Sequence, residues 1–201
     1  MQIYLQKIIL KNLKIFYINS SMSFLKDISN FTSYLDWLPI IASVFLVDLC
    51  GIFIFALFKN TGTEIYNWYK DFGLIAFLAD VLVILVIYVL VRYIYKIYVF
   101  PKYGFNPFIF IALLVLCQVI HDILYYFLFI KGIRQGRSTI SDYMKKYAKE
   151  NGTHAIYGDT IMMVSSAIIA MILKGYPPHI SIAIIIMDLY LVQYGLTMRR
   201  Q

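Results

Sequence analysis

The chain has 201 residues, of which 61% are hydrophobic and 14% charged, and its mean hydropathy is +0.74. A soluble domain holds roughly 45–50% apolar and about 25% charged residues, so a soluble enzyme or nucleic-acid-binding domain is excluded in favour of a polytopic membrane protein. The net charge of +7 comes from 18 basic and 11 acidic residues; with five of the acids inside apolar runs, the remaining loops are strongly basic and suit an anionic lipid surface.

Residues 1–35 read as an amphipathic, interfacial N-terminal segment. Lys7, Lys11 and Lys14 fall at i, i+4 and i+7, on one face of a helix that alternates cations with apolar residues and so suits the plane of the membrane surface. Residues 36–201 read as a membrane domain of five spans, at about 37–58, 72–91, 107–130, 155–173 and 179–198. Each is an apolar run near the twenty residues that a helix needs to cross the hydrocarbon core. Trp37 and Tyr34 open the first span and Lys59 closes it, as interface anchors do. Residues 59–71 read as a short polar connector, with Trp68 and Tyr69 marking the next interface. The second span carries Gly73, Ala76 and Asp80 on one face. At its far end Arg92 and Lys96 are expected to snorkel to the surface, with the helix running on toward Tyr98 before Pro101 and Gly104 break it.

The third span is the distinctive one, because Gln118, His121, Asp122 and Tyr125 sit at i, i+3, i+4 and i+7. On a helix this makes one polar stripe on an apolar rod, and such a stripe faces other helices or a water-filled cavity. The loop that follows, residues 131–154, holds Lys131, Arg134, Arg137, Lys145, Lys146 and Lys149, a patch suited to lipid headgroups. Within it residues 138–150 have helical spacing and Gly152 supplies a stop, which predicts one amphipathic surface helix. The fourth span carries Asp159 and a small-residue pair, Ser166 and Ala170. The fifth follows a Gly175, Pro177, Pro178 turn and carries Asp188. Cys50 and Cys117 have no CxxC or Cys/His spacing and read as small hydrophobes. No metal-ligand spacing or Walker, Rossmann or hydrolase motif is present, and no cofactor is expected.

The depth of each acid follows from a rise of about 1.5 Å per residue. If side A holds the N-terminus and side B is opposite, then Asp48, Asp80, Asp122, Asp159 and Asp188 all fall between the midplane and side B. One acid at a helix centre costs about 2.5–3.5 kcal/mol, so five on one side predict a shared polar chamber. Its members would be Asp48, Asp80, Gln118, His121, Asp122, Tyr125 and Asp188. Asp159 and Ser166 are secondary, since an acid in a first helical turn also suits the helix dipole.

The segments KDFGLIAFLADVLV (residues 70–83), QVIHDILYYF (118–127) and YAKENGTHAIYGDTIMMVSS (147–166) resemble multi-pass membrane proteins encoded by large DNA viruses of algae and protists. The resemblance implies a host internal membrane or virion inner membrane, and no mechanism. The expected fold is therefore an all-α transmembrane bundle of five helices, with an amphipathic N-terminal helix and one surface helix. The leading functional expectation is transport or permeation of protons or a small cation; the alternative is a structural or assembly protein of a viral or remodelled host membrane, whose acids only specify packing. A lipid-directed membrane enzyme ranks last, since no nucleophile supports it. A water-filled cavity joining the acids would favour transport, and acids satisfied one by one by neighbouring helices would favour the structural role. Partners implied are the bilayer, anionic headgroups and a proton or small cation, with self-association left open and nucleic acid excluded. By the positive-inside rule the 131–154 loop is expected on the cytosolic side.

Overall fold

The computed structural model describes residues 24–57, 63–152 and 154–198, and the expected surface helix at residues 1–21 lies outside them. Among the described residues the fold is all-α. Five helices are long and apolar enough to cross a membrane: α1 (Trp37–Leu57), α3 (Leu74–Tyr103), α4 (Pro107–Ile130), α6 (His154–Leu173) and α7 (Pro178–Thr197). Two shorter helices, α2 (Thr63–Phe72) and α5 (Thr139–Asn151), join spans on side B.

The second of these was expected and the first was not. In α5 the Ser138 side chain accepts the Ser141 N–H at 3.3 Å as an N-cap, and Gly152, at φ +52°, ends the helix. The connector read as a polar loop is instead α2, an amphipathic helix whose Ile65, Trp68, Tyr69 and Phe72 share one face. That face turns inward, and Trp68 and Tyr69 are almost fully buried.

The helix of the second span runs on past Arg92 as expected, but for 30 residues to Tyr103 instead of stopping near Tyr98, because Pro101 does not end it. A proline removes the N–H that would bond four residues back and crowds that carbonyl. Here the preceding turn, Tyr95–Val99, widens to a π-helix in which the Phe100 N–H reaches the Tyr95 carbonyl, and the chain continues helical to Tyr103. Gly104, at φ +62°, then ends it. Asn106 starts α4 at once, its side-chain oxygen accepting the N–H groups of Phe108 and Ile109 at 3.0 and 3.2 Å, with Pro107 at the first helical position.

Helix α1 is the centre of the bundle and packs against α6, α7 and α3. Lipid offers no hydrophobic drive between spans, so close packing must hold them, and the buried rows show how. On α3 Phe77, Val81, Ile84, Tyr88, Val91 and Tyr95 are buried at alternating steps of four and three, the seam of a left-handed bundle. On α7 the buried row is Ser181, Asp188, Val192 and Gly195. Gly195 is needed for the approach, since a Cβ there would meet Ile52 Cγ2 of α1 at 3.0 Å. On α6 the expected small pair, Ser166 and Ala170, is fully buried with Met163 and Ala167, and the Ser166 hydroxyl lies 3.2 Å from that of Tyr88. Helix α4 is peripheral: its buried face reduces to Pro107, Phe110, Leu114 and Gln118.

Candidate functional site

Two polar clusters occupy opposite ends of the bundle. On side B the carboxyls of four spans lie in one electrostatic chain: Asp48 of α1 lies within range of Asp80 of α3, and Asp159 of α6 within range of both Asp80 and Asp122 of α4. The sequence brings them to the same level, and the two surface helices cover them. From α2 the Tyr69 hydroxyl donates to Asp48 Oδ1 at 2.9 Å and the Trp68 indole N–H to Asp80 Oδ2 at 3.1 Å. From α5 Tyr147 faces the group. Its phenol is held well above the usual range, first by burial and then by the charges of Asp159, Asp80, Asp122 and Glu150. Tyr69 is raised likewise, by burial and then by Asp48 and Asp80. These are the shifts expected of buried hydroxyls whose ionisation would add charge beside acids.

The cover holds together on its own contacts. The rings of Trp68 and Phe72 lie 5.6 and 5.4 Å from that of Tyr143, whose hydroxyl donates to the Glu64 carbonyl, and Lys146 pairs with the Glu64 carboxylate at 3.0 Å. Tyr143 is raised too, by burial and then by Glu64, Asp71 and Glu150. Thus α2 and α5 form a two-helix cap, with aromatic donors on its underside and ion pairs at its edge.

The expected stripe on α4 is present and largely self-contained. Gln118 Nε2 donates to Asp122 Oδ1 at 2.8 Å, His121 Nδ1 lies 3.2 Å from the same oxygen, and the His121 and Tyr125 rings stack with centroids 6.0 Å apart. Gln118 is buried, whereas His121 and Tyr125 are half-buried toward the edge of the bundle. Among the described residues Asp48 Oδ2, Asp122 Oδ2 and Gln118 Oε1 are buried without a hydrogen-bond partner. Asp188 is fully buried, within electrostatic range of Cys50 on α1, and both of its oxygens are likewise unpartnered. Ser166 serves the α3–α6 contact with Tyr88 instead of joining the acids. A narrow cleft of about 10 Å³, lined by Tyr66, Tyr69, Lys70 and Gly195 among others, reaches the cap beside Tyr69, a volume near that of one water.

On side A lies a cluster that the sequence reading missed. Arg92, expected to snorkel, is instead completely buried. Its guanidinium lies 3.6 Å from Asp36, over the Trp37 ring at 4.6 Å, and donates to the carbonyls of Asn30 and Ser33. Asp36 also pairs with Lys174 at 2.6 Å, and Lys174 donates to the Asp27 carbonyl. The Lys26 N–H bonds the Met171 carbonyl at 3.1 Å, and Ile28 and Ser29 are buried. Residues 24–36 are thereby clasped to the ends of α3 and α6. Lys96, by contrast, is exposed over the Phe100 ring, as expected of a snorkelling cation.

The six loop cations divide. Lys131, Lys145 and Lys149 line one cavity; Lys146 turns to Glu64; Arg134 and Arg137 are exposed. No protein family, curated protein or solved structure matches this chain. The class is defined by the fold alone: a multi-pass integral membrane protein with acids buried in its spans.

Proposed function

We propose that this protein binds protons at its side B cluster and passes them between side B and the bundle interior, as a small transport or permeation protein. One observation carries the reading: four carboxyls from four different spans form a continuous electrostatic chain under a hydroxyl-bearing cap. Proton transfer along such a chain would run through hydrogen bonds and bridging waters, which requires no ion-sized channel. Asp122 is the acid best placed to take part, with one oxygen held by Gln118 and His121 and the other unpartnered.

The second reading is a structural or assembly protein of a viral or remodelled host membrane. It is favoured by the one-to-one pairing of Asp48 with Tyr69 and Asp80 with Trp68, which would make the acids anchors for α2, and by the two clefts described, neither of which is lined by any of the acids. Flux in reconstituted vesicles separates the two. Asp122→Asn keeps size and some hydrogen bonding but removes the carboxyl, so it should insert normally and lose proton-driven flux, and His121→Ala, which removes the ring beside the same oxygen, should lower it. If the acids are structural, Asp122→Asn should behave as wild type and only Asp122→Leu, which strands its partners, should do damage. Wild-type vesicles that pass no proton, Na⁺, K⁺ or divalent cation under any gradient would refute the transport reading.

A further inference from the structure

We infer that the cleft between the end of α4 and the face of α5 is a binding site for one phosphate-bearing lipid headgroup. The cleft holds about 310 Å³ and is lined by Tyr126, Ile130, Lys131, Lys145, Ala148 and Lys149. That volume is at the lower end of small-ligand sites, roughly 300–1,000 Å³, and fits a headgroup instead of a whole lipid.

Its construction is local. The last turn of α4, Tyr126–Ile130, is a π-helix whose end bond runs from the Lys131 N–H to the Tyr126 carbonyl at 2.9 Å. The wider turn leaves Lys131 over the Tyr126 and Phe127 rings, at 5.1 and 5.0 Å. Opposite, Lys145 and Lys149 are one helical turn apart on α5 and face the same space. Lys145 is steadied by the Ile133 carbonyl and lies 3.9 Å from Asp142. Asp142 is partly engaged with the Gly136 N–H at 2.8 Å, and no carboxylate lines the cleft.

Three lysines lining one cleft supply the charge and the donors that a phosphate monoester or diester takes. Tyr126 and Ile130 belong to the spanning helix, so the apolar wall continues into the hydrocarbon, where an acyl chain would leave. A free phosphate would gain nothing from that wall, and this selects the lipid as the source.

The other three loop cations supply a charge-matched control. Full-length protein reconstituted in phosphatidylcholine vesicles is probed with trace spin-labelled phosphatidic acid or phosphatidylcholine, and the motionally restricted fraction is read by electron paramagnetic resonance. Wild type and the Arg134→Gln/Arg137→Gln/Lys146→Gln variant should both prefer phosphatidic acid. Lys131→Gln/Lys145→Gln/Lys149→Gln should lose that preference, by roughly fivefold per lysine removed. Equal losses in the two triple variants would show diffuse charge attraction and overturn the site. Should the cleft variant fail to insert, Lys149→Gln alone, at an exposed position, must still lower the preference, and an unchanged value overturns the proposal. Displacement of the labelled lipid by millimolar inorganic phosphate would overturn the lipid as the source in favour of a free anion; resistance to it supports the headgroup.

Discussion

Substituting Asp36 by Leu removes the carboxylate that faces both Arg92 and Lys174. The Arg92 side chain is 0% exposed and Asp36 4%, with 3.6 Å between charged atoms. At an effective dielectric near 20 that separation corresponds to about 4–5 kcal/mol of attraction, and loss of one partner from a buried pair costs about 3–5 kcal/mol. The lower end applies, because the Asn30 and Ser33 carbonyls and the Trp37 ring remain for the guanidinium. Lys174, with its side chain 31% exposed, can turn to water. We therefore expect a loss of about 3 kcal/mol. The protein has two tryptophans, and Trp68→Phe leaves Trp37, beside Arg92, as a local reporter for unfolding by SDS in bicelles. The double variant Asp36→Leu/Arg92→Met removes both buried charges and should recover most of the loss, with a coupling of about 2 kcal/mol or more. A single-variant cost below about 1 kcal/mol, or strict additivity in the double, would refute the idea that the pair is buried and interdependent.

Two further outcomes are expected. Orientation is the first: side B carries ten of the eighteen cations, against five on side A once the three N-terminal lysines distant from the first span are set aside. In a variant whose Cys50 and Cys117 are replaced, Arg134→Cys should resist impermeant maleimide applied outside the cell and react after permeabilisation, and labelling from outside would reverse the orientation. The second concerns alkaline pH. Burial and nearby acids raise the phenols of Tyr69 and Tyr147 in the folded protein above their unfolded value near 10, so the contribution is complete below pH about 10 and is lost as pH rises beyond it. Each such phenol adds a fall of up to about 1.4 kcal/mol per pH unit, and Tyr69→Phe should flatten the curve; an unchanged slope would show that the cap opens before its phenols titrate.

The five spans were legible because one physical constraint, the thickness of the hydrocarbon, sets the length of each apolar run. The errors fall where that constraint is silent. Residues 59–71 are too polar to span, and reading them as a loop overlooked Ile65, Trp68, Tyr69 and Phe72 at i, i+3, i+4 and i+7, a pattern that was there to be read. The end of the second span was misjudged for another reason. A proline forbids one hydrogen bond, and a single π-turn absorbs that loss without ending the helix.

For the site, depth was readable and lateral neighbourhood was not. Counting residues along each helix brings Asp48, Asp80, Asp122 and Asp159 to one side, but hydropathy does not order helices around an axis, and only packing tells which acid meets which donor. Asp188 illustrates the gap: its depth matches, yet it lies on the buried row of α7 that ends at Gly195, within range of Cys50. Arg92 illustrates it more sharply, since a cation near a helix end can reach outward to water or inward to a carboxylate with equal ease. What decides is Asp36, which lies one residue before the first span and carried no expected role in the sequence. Helix α3 carries both solutions, Asp80 under the cap near its start and Arg92 in the clasp well before its end at Tyr103, so the two polar clusters are separated by the apolar stretch of helix between them. Local reading of either end, without the partners that α1 and the 24–36 segment bring, leaves its charge unexplained.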